Sequence, residues 1–154
     1  MIKYLKYVFI VFLLNFSSVK SEILKPNKNI NPDEVVKIQL KGLMKNDINL
    51  KDNGIIQTWE FAHPNNKMFT GPLERFKEMI KGESYKMLLN HNSHEVLEIF
   101  KDKRIAIYEV VIFDKKKNYY KFKWQVEKYE KQGPLENCWL TTVVSQPIPI
   151  NGTA

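Results

Sequence analysis

The sequence has little of what disulfide-linked, metal-binding and nucleic-acid-binding proteins use. Its 154 residues include one cysteine, which cannot form a disulfide within the chain, and no cysteine and histidine spacing typical of zinc sites. Only two of the 24 basic residues are arginine, and the aromatic and glycine pattern of RNA-binding modules is missing. We therefore expect no structural metal, no cofactor and no nucleic-acid partner. The lack of a Gly-x-Ser-x-Gly segment also argues against hydrolase chemistry.

Long apolar runs are also scarce, and the longest, near the N-terminus, is too short for the roughly 20 residues that span a bilayer. Two lysines in Met1–Tyr7, the apolar stretch Val8–Leu14 and the polar residues after it predict a secretory signal peptide cleaved after Ser21. An uncleaved anchor is the alternative. Residues 1–21 contain three lysines and no acid, so their removal lowers the net charge from +7 to +4. We expect no membrane span in the mature chain.

The leader predicts a protein of the secretory pathway or of an extracytoplasmic compartment. The lysine- and asparagine-rich stretch 23–32 leaves one alternative, a plastid reached through a two-part leader that begins with the signal peptide. After the leader we expect a flexible segment at 22–31, one domain at 32–146 and a C-terminal tail at 147–154. The tail carries a glycosylation sequon, Asn151-Gly-Thr153.

The domain is predicted to open with a helix. The segment Asn31-Pro32-Asp33-Glu34 supplies an N-cap, a proline at the first helical position and two acids in the first turn. Apolar residues then recur at helical spacing until the helix ends near Asn46, with Gln39 at the edge of the apolar stripe.

Two further helices are predicted before the sheet. A short second helix begins near Ile55 and is expected to stop at Pro64. A third begins at Thr70-Gly71-Pro72 and ends at Gly82.

After Tyr85 the apolar pattern becomes that of β-strands, and four runs predict an antiparallel meander, at residues 94–100, 104–114, 119–130 and 138–145. The third run alternates apolar and polar residues, so one of its faces meets water. The second run is apolar on both faces, so part of the sheet needs a second cover, either the helices or another subunit. We therefore predict an α+β domain with N-terminal helices packed on a curved antiparallel sheet.

A set of short motifs is spread over about residues 32–145, namely Val36–Leu43 with Asn46-Asp47, Gly54–Ile56, Trp59–Ala62, Pro64-Asn65, Thr70–Phe76, Tyr85–His91 and Cys138–Thr141. Together these motifs resemble an uncharacterised domain family found in bacteria and in plastid-targeted proteins of plants and algae. That family is similar to the nuclear-transport-factor-two-like, or SnoaL-like, cone fold of the cystatin-like class. The resemblance implies a cone-shaped domain with a hydrophobic pocket. It implies no single activity, because the fold hosts isomerases, dehydratases, cyclases and binding or dimerisation modules.

Two residues are candidates for a catalytic base. An isomerase or dehydratase needs a carboxylate or imidazole inside an apolar pocket, with a hydrogen-bond donor for the developing oxyanion. Glu109 shares a strand face with apolar residues, an environment suited to such a base, and the alternative is that this face meets water or a partner's lysine. For His91 the alternative is a buried histidine held by a backbone carbonyl.

The candidate ligand-binding residues are aromatic or imidazole side chains in apolar sequence contexts, some of which carry a polar group that needs a partner. They are Trp59, Tyr85, His91, Tyr108, Trp124 and Trp139.

Taken together, these features favour a secreted or organelle-lumen protein whose pocket binds a small apolar or amphipathic molecule without chemistry. The apolar outer face of the strand at 104–113 predicts a homodimer. Two alternatives stay open, an isomerase or dehydratase of the same fold and a dimeric interaction or assembly scaffold.

Overall fold

A computed structural model describes residues 22–150, so the predicted leader and the sequon lie outside the described residues. Four α-helices come first, at Pro32–Met44 (α1), Asn53–Glu60 (α2), Pro64–Thr70 (α3) and Leu73–Lys81 (α4), followed by a single 3-10 turn at Lys86–Leu88. Five strands follow, at Ser93–Lys101 (β1), Ile105–Phe113 (β2), Tyr119–Lys128 (β3), Trp139–Val144 (β4) and Ile148–Ile150 (β5). The predicted α+β arrangement, with helices packed on a curved antiparallel sheet, is confirmed.

The start of α1 follows from its capping residues. Pro32 occupies the first turn, and the Glu34 carboxylate accepts a hydrogen bond of 2.7 Å from the backbone N–H of Asn31. At the other end the backbone N–H of Asn90 donates to the carbonyl of Leu43 at 2.8 Å, which satisfies one of the carbonyls that a helix end leaves free. The face between these ends is buried against the sheet and α2.

The helices α1 and α2 touch through their backbones. A methyl group built on Gly54 would lie only 2.0 Å from the carbonyl oxygen of Gly42, closer than real Cβ contacts come. Asn46 bridges the same junction, because its side-chain oxygen accepts from the backbone N–H of Ile55 at 2.9 Å. Asp47 closes the loop that follows α1, because its carboxylate accepts from the backbone N–H of Asp52 at 3.0 Å.

The prediction that Pro64 merely stops the second helix was wrong. The helix α2 ends at Glu60, and Pro64 begins the additional helix α3 at the first helical position, where its missing N–H costs nothing. His63 is the N-cap, with Nδ1 accepting from the backbone N–H of Asn65 at 3.1 Å. The helix has seven residues and none of them is buried. Its sequence therefore has no apolar stripe from which a helix could be predicted.

The sheet has the order β1-β2-β3-β4, and every pairing is antiparallel, as the meander requires. The fifth strand was not predicted. Residues 148–150 pair with the start of β3, beyond the end of β4, so the ordered sheet includes part of the stretch predicted as a tail. This short strand is difficult to predict from residue propensities, because it lies among two prolines, at positions 147 and 149.

The two faces of the sheet differ. The inner face packs on the helices and carries the buried side chains of β2 and β3, Ala106, Tyr108, Val110, Ile112, Phe122, Trp124 and Val126. No helix or strand within residues 22–150 covers the outer face. Leu97 is 61% and Ile99 58% exposed on that side of β1.

Residues 22–31 contain no helix or strand, and two of them bond to α2. Gln57 bonds the backbone of Leu24 twice, accepting from its N–H at 2.8 Å and donating to its carbonyl at 3.0 Å. Lys25 forms an ion pair of 2.9 Å with Glu60. Between residues 22 and 150, none of the helices has the length and apolar character needed to cross a membrane.

Candidate functional site

The candidate site is a cavity of about 270 Å³ between the helices and the β4 side of the sheet. Its wall is mostly apolar and includes Leu43, Ala62, Phe76, Met79, Ile80, Leu88, Trp124 and Val144. The polar side chains at the wall are Gln39, Thr58, Asn66, Thr70, Tyr85, Thr141 and Thr142. An apolar concavity with a few convergent polar groups is the usual form of a small-molecule site.

Gln39 organises the polar part of the wall. Its side-chain oxygen accepts from Trp124 Nε1 at 3.0 Å and from the Thr141 hydroxyl at 2.6 Å. Its Nε2 donates to the carbonyl of Thr58 at 3.0 Å. That carbonyl lies in the last turn of α2, where helical carbonyls lack an intrahelical partner. One buried amide therefore joins α1, α2, β3 and β4 at the cavity.

The corner between α2 and α3 is attached to β4 by backbone bonds. Thr141 donates its N–H to the carbonyl of Phe61 at 2.8 Å and accepts from the N–H of His63 at 2.9 Å. Asn66 adds two side-chain bonds, because its Nδ2 donates to the carbonyls of Thr141 at 3.1 Å and Thr142 at 2.7 Å. These bonds hold α3 at the cavity although no residue of α3 is buried.

The mouth of the cavity is marked by Phe69 and Tyr85. Phe69 lines the cavity and is nevertheless 84% exposed, so its ring lies where the cavity meets solvent. Tyr85 donates its hydroxyl to the carbonyl of Val144 at 3.3 Å and accepts from Gln146 Nε2 at 3.4 Å. Burial raises the pKa of Tyr85, so its hydroxyl keeps its proton at neutral pH.

Tyr85 and Trp124 are the two predicted ligand-binding residues that line this cavity. Trp59 packs on Phe76, with 5.0 Å between ring centroids, and has Lys67 Nζ 5.4 Å from its ring. Trp139 is buried, with Lys128 Nζ 5.1 Å from its ring. Both tryptophans lie outside the cavity wall.

Tyr108 is fully buried in the core, away from the cavity. Its hydroxyl has no hydrogen-bond partner in the described part of the chain. Burial, with the charges of Glu98 and Asp33, raises the pKa of Tyr108 far above its ordinary value, so this side chain is a neutral phenol.

His91 lies at the junction of the helical half and the sheet. Its Nδ1 is 2.7 Å from the carbonyl of Leu88, so Nδ1 carries the hydrogen and donates. Its Nε2 lies 2.7 Å from His94 Nδ1 and accepts from it. Burial lowers the pKa of both histidines. For His91 the hydrogen bond to the Leu88 carbonyl partly opposes this effect on the pKa, and the charge of His94 adds to it. His91 is thus a buried histidine held by a backbone carbonyl, and it does not line the cavity.

Glu109 lies on the outer face of the sheet, on the opposite side from the cavity. Its carboxylate is 3.3 Å from Lys121 Nζ, and both side chains are partly exposed. The lysine that neutralises it comes from its own chain. Leu97 lies directly opposite Glu109 on β1.

Sequence reasoning missed most of the polar wall. Thr58, Asn66 and Thr141 were not candidates, and Gln39 was placed only at the edge of a stripe. A usable signal was present, since Gln39 lies between Val36 and Leu43 on the buried side of α1, and a polar residue there needs partners. Across residues 22–150 no cluster of three or more histidine, cysteine or acidic side chains has metal-site geometry.

Comparison with protein-family models, with curated proteins and with solved structures finds no match for this chain. The resemblance to a cone-fold family therefore stays a prediction.

Proposed function

We propose that the protein binds a small, largely apolar molecule in the cavity between its helices and its sheet. The observation that carries this proposal is the cavity itself, an apolar space of about 270 Å³ with a polar cluster centred on Gln39. A cavity of about 150 Å³ with a similar apolar lining accepts benzene. The larger volume here suits a two-ring aromatic molecule or a chain of comparable bulk.

The composition of the wall favours binding over catalysis. Among the described residues that line the cavity, none carries a carboxylate, an imidazole, an ammonium or a thiol. The one titratable group is the Tyr85 hydroxyl, whose pKa is raised by burial. A general base must lie within hydrogen-bond reach of the proton that it removes, and His91 and Glu109 are both elsewhere.

Native mass spectrometry of the full chain, purified from expressing cells, tests this proposal. We expect a bound small molecule, one per subunit. Substitution Ala62→Leu fills part of the cavity without removing a hydrogen-bonding side chain, so we expect the bound mass to disappear while the circular dichroism spectrum is unchanged. A mass that survives Ala62→Leu would place the ligand elsewhere. A wild-type protein that stays empty when incubated with two-ring aromatic compounds would refute the proposal.

We also propose that two copies associate through the outer face of the sheet. Leu97, Ile99 and Ile148 are each more than half exposed there. This face also carries both signs of charge, because Glu109 pairs in register with Lys123 and forms an ion pair with Lys121. A two-fold axis through the face can place each Glu109 beside the partner's Lys123, so the surface is complementary to itself.

Sedimentation equilibrium tests the association. We expect a dimer that Leu97→Lys dissociates, because the substitution buries an unpaired charge in the interface. Leu50→Lys is the matched control, since Leu50 is exposed in the loop between α1 and α2. A wild-type protein that is monomeric at high concentration, or equal effects of the two variants, would contradict the proposal.

For location we propose export through the secretory pathway, on the strength of the leader pattern in residues 1–21. A fluorescent fusion to residues 1–40 should enter the endomembrane system. Import into plastids would instead support the two-part leader, and a cytosolic fusion protein would contradict both.

A further inference from the structure

The hydroxyl groups on the cavity wall all use their hydrogens within the protein. Thr58 donates to the carbonyl of Gly54 at 2.9 Å, and Thr70 donates to the carbonyl of Asn66 at 2.8 Å. Thr141 donates to the side-chain oxygen of Gln39 at 2.6 Å. Each of these partners is an oxygen that only accepts, which fixes the direction of the bond. The three oxygens therefore present lone pairs, and no hydrogen, to a ligand.

The amides and the phenol on the wall follow the same pattern. Asn66 uses its Nδ2 hydrogens for the carbonyls of Thr141 and Thr142, which leaves Oδ1 to accept. The Tyr85 hydroxyl donates to the carbonyl of Val144. Gln39 uses one Nε2 hydrogen for the carbonyl of Thr58, so its second is the remaining side-chain donor on the wall that the structure describes.

Charge at the wall points the same way. Within residues 22–150, neither a lysine nor an arginine lines the cavity. An anion that entered would lose its hydration without meeting a cation and would face mostly acceptor oxygens, and both effects are unfavourable. A neutral ligand with a hydroxyl or N–H group would find acceptors that have no other donor.

We propose that the ligand of this cavity is a neutral molecule that carries a hydrogen-bond donor, such as an alcohol, a phenol or an N–H heterocycle, and that the site rejects carboxylates and other anions. This proposal rests on the proposed function, because it names the chemical class that the same cavity selects. Fatty acids and aromatic acids fall outside the class.

Three probes with the same two-ring frame test the selection. 2-Naphthol, naphthalene and 2-naphthoate share a two-ring frame and differ in offering a donor, no polar group, or an anion at pH 7. Isothermal titration of the full chain should show 2-naphthol binding about three- to tenfold more tightly than naphthalene, the effect of one hydrogen bond. Naphthoate should bind at least about tenfold more weakly than naphthol.

Substitutions test whether the preference for naphthol arises from side chains of the cavity wall. Thr141→Val removes one acceptor at nearly constant volume and should reduce the advantage of naphthol over naphthalene. Thr58→Val is a second variant in case the first does not fold. Thr142→Val is the control, because the Thr142 hydroxyl donates to Glu127 at 3.0 Å and its oxygen already accepts from Gln125 Nε2 at 3.4 Å, so it is not one of the open acceptors.

The outcomes separate the two proposals. Binding of naphthalene and naphthol with equal affinity, or tighter binding of naphthoate, would overturn donor selection and leave the apolar cavity as a binding site. Failure of all three probes to bind would overturn the proposed function itself. An advantage for naphthol that is as large in both Thr141→Val and Thr58→Val as in the wild type would overturn the assignment of the acceptors.

Discussion

Replacement of Gln39 by leucine should destabilise the protein strongly, although leucine has a similar size and is more apolar. The substitution leaves three buried groups without partners, the Trp124 indole N–H, the Thr141 hydroxyl and the Thr58 carbonyl. Each buried group left without a hydrogen-bond partner lowers the free energy of unfolding by about 1–3 kcal/mol. Burial of the leucine side chain returns about 1.5–3 kcal/mol. Mid-range values of these terms leave a net loss of about 4 kcal/mol in the free energy of unfolding, a large part of the roughly 5–15 kcal/mol of a small domain.

The matched control is Gln57→Leu. Gln57 is also buried and also makes two side-chain bonds, but both go to the backbone of Leu24, which is 52% exposed. Those two backbone groups can bond water when the glutamine is lost. We expect a loss below about 1.5 kcal/mol, the range of an ordinary hydrogen bond. Comparison of the two variants therefore distinguishes the loss of a glutamine side chain from the loss of hydrogen bonds by buried partner groups.

Urea unfolding followed by circular dichroism and tryptophan fluorescence measures both free energies by linear extrapolation. A loss below about 1 kcal/mol for Gln39→Leu would refute the reasoning, and so would equal losses for the two variants. Gln39→Glu adds a test of the donor. Its ionised carboxyl group can accept from Trp124 and Thr141 but cannot donate to the Thr58 carbonyl. Burial disfavours the ionised form, so the stability of this variant relative to wild type should rise as pH falls.

Three further predictions concern α2, the histidine pair and the mouth of the cavity. Gly54→Ala should destabilise the fold by at least about 1–3 kcal/mol in urea unfolding, because the new methyl group meets the Gly42 carbonyl at 2.0 Å. The stability of the wild type should fall as the pH is lowered from about 7.5 to about 5.5. Burial holds the pKa values of His91 and His94 below the ordinary 6.5, so the unfolded chain takes up protons before the folded chain does. Phe69→Ala should weaken naphthol binding in calorimetry and change stability by less than about 0.5 kcal/mol, since the ring is 84% exposed.

Each of these predictions has an internal control. Gly42→Ala places its methyl group 3.4 Å from its nearest neighbours and should be neutral or stabilising, so equal losses at both glycines would contradict the steric argument. The double substitution of His91 and His94 by glutamine should flatten the pH profile more than His63→Gln does, and an unchanged slope would remove the pair as its cause. Met68 is 80% exposed and does not line the cavity, so Met68→Ala should leave binding intact.

Local chemistry in the sequence was sufficient to place most elements. The start of α1 at Pro32 and the end of α4 before Gly82 follow from capping preferences that act over one helical turn. The strands β2 and β3 follow from the alternation of apolar side chains, which a half-buried sheet requires. Where these local signals weaken, prediction failed. The helix α3 buries no residue, and β5 contains a proline, so neither leaves a periodic pattern.

The sequence by itself determined the α+β class, the order of helices before strands and the antiparallel meander, because these depend on periodicities of two and 3.6 residues within short windows. Tertiary structure alone decided the site. The bond from Thr141 to Gln39 joins residues 102 positions apart, and the cavity lies where α1, α2, α3, α4, β3 and β4 meet. The helices cover one side of the sheet, and for that reason Trp124 faces a cavity whereas Glu109 faces solvent and Lys121. No local sequence pattern predicts which side of the sheet the helices cover, because that depends on the packing of the whole chain.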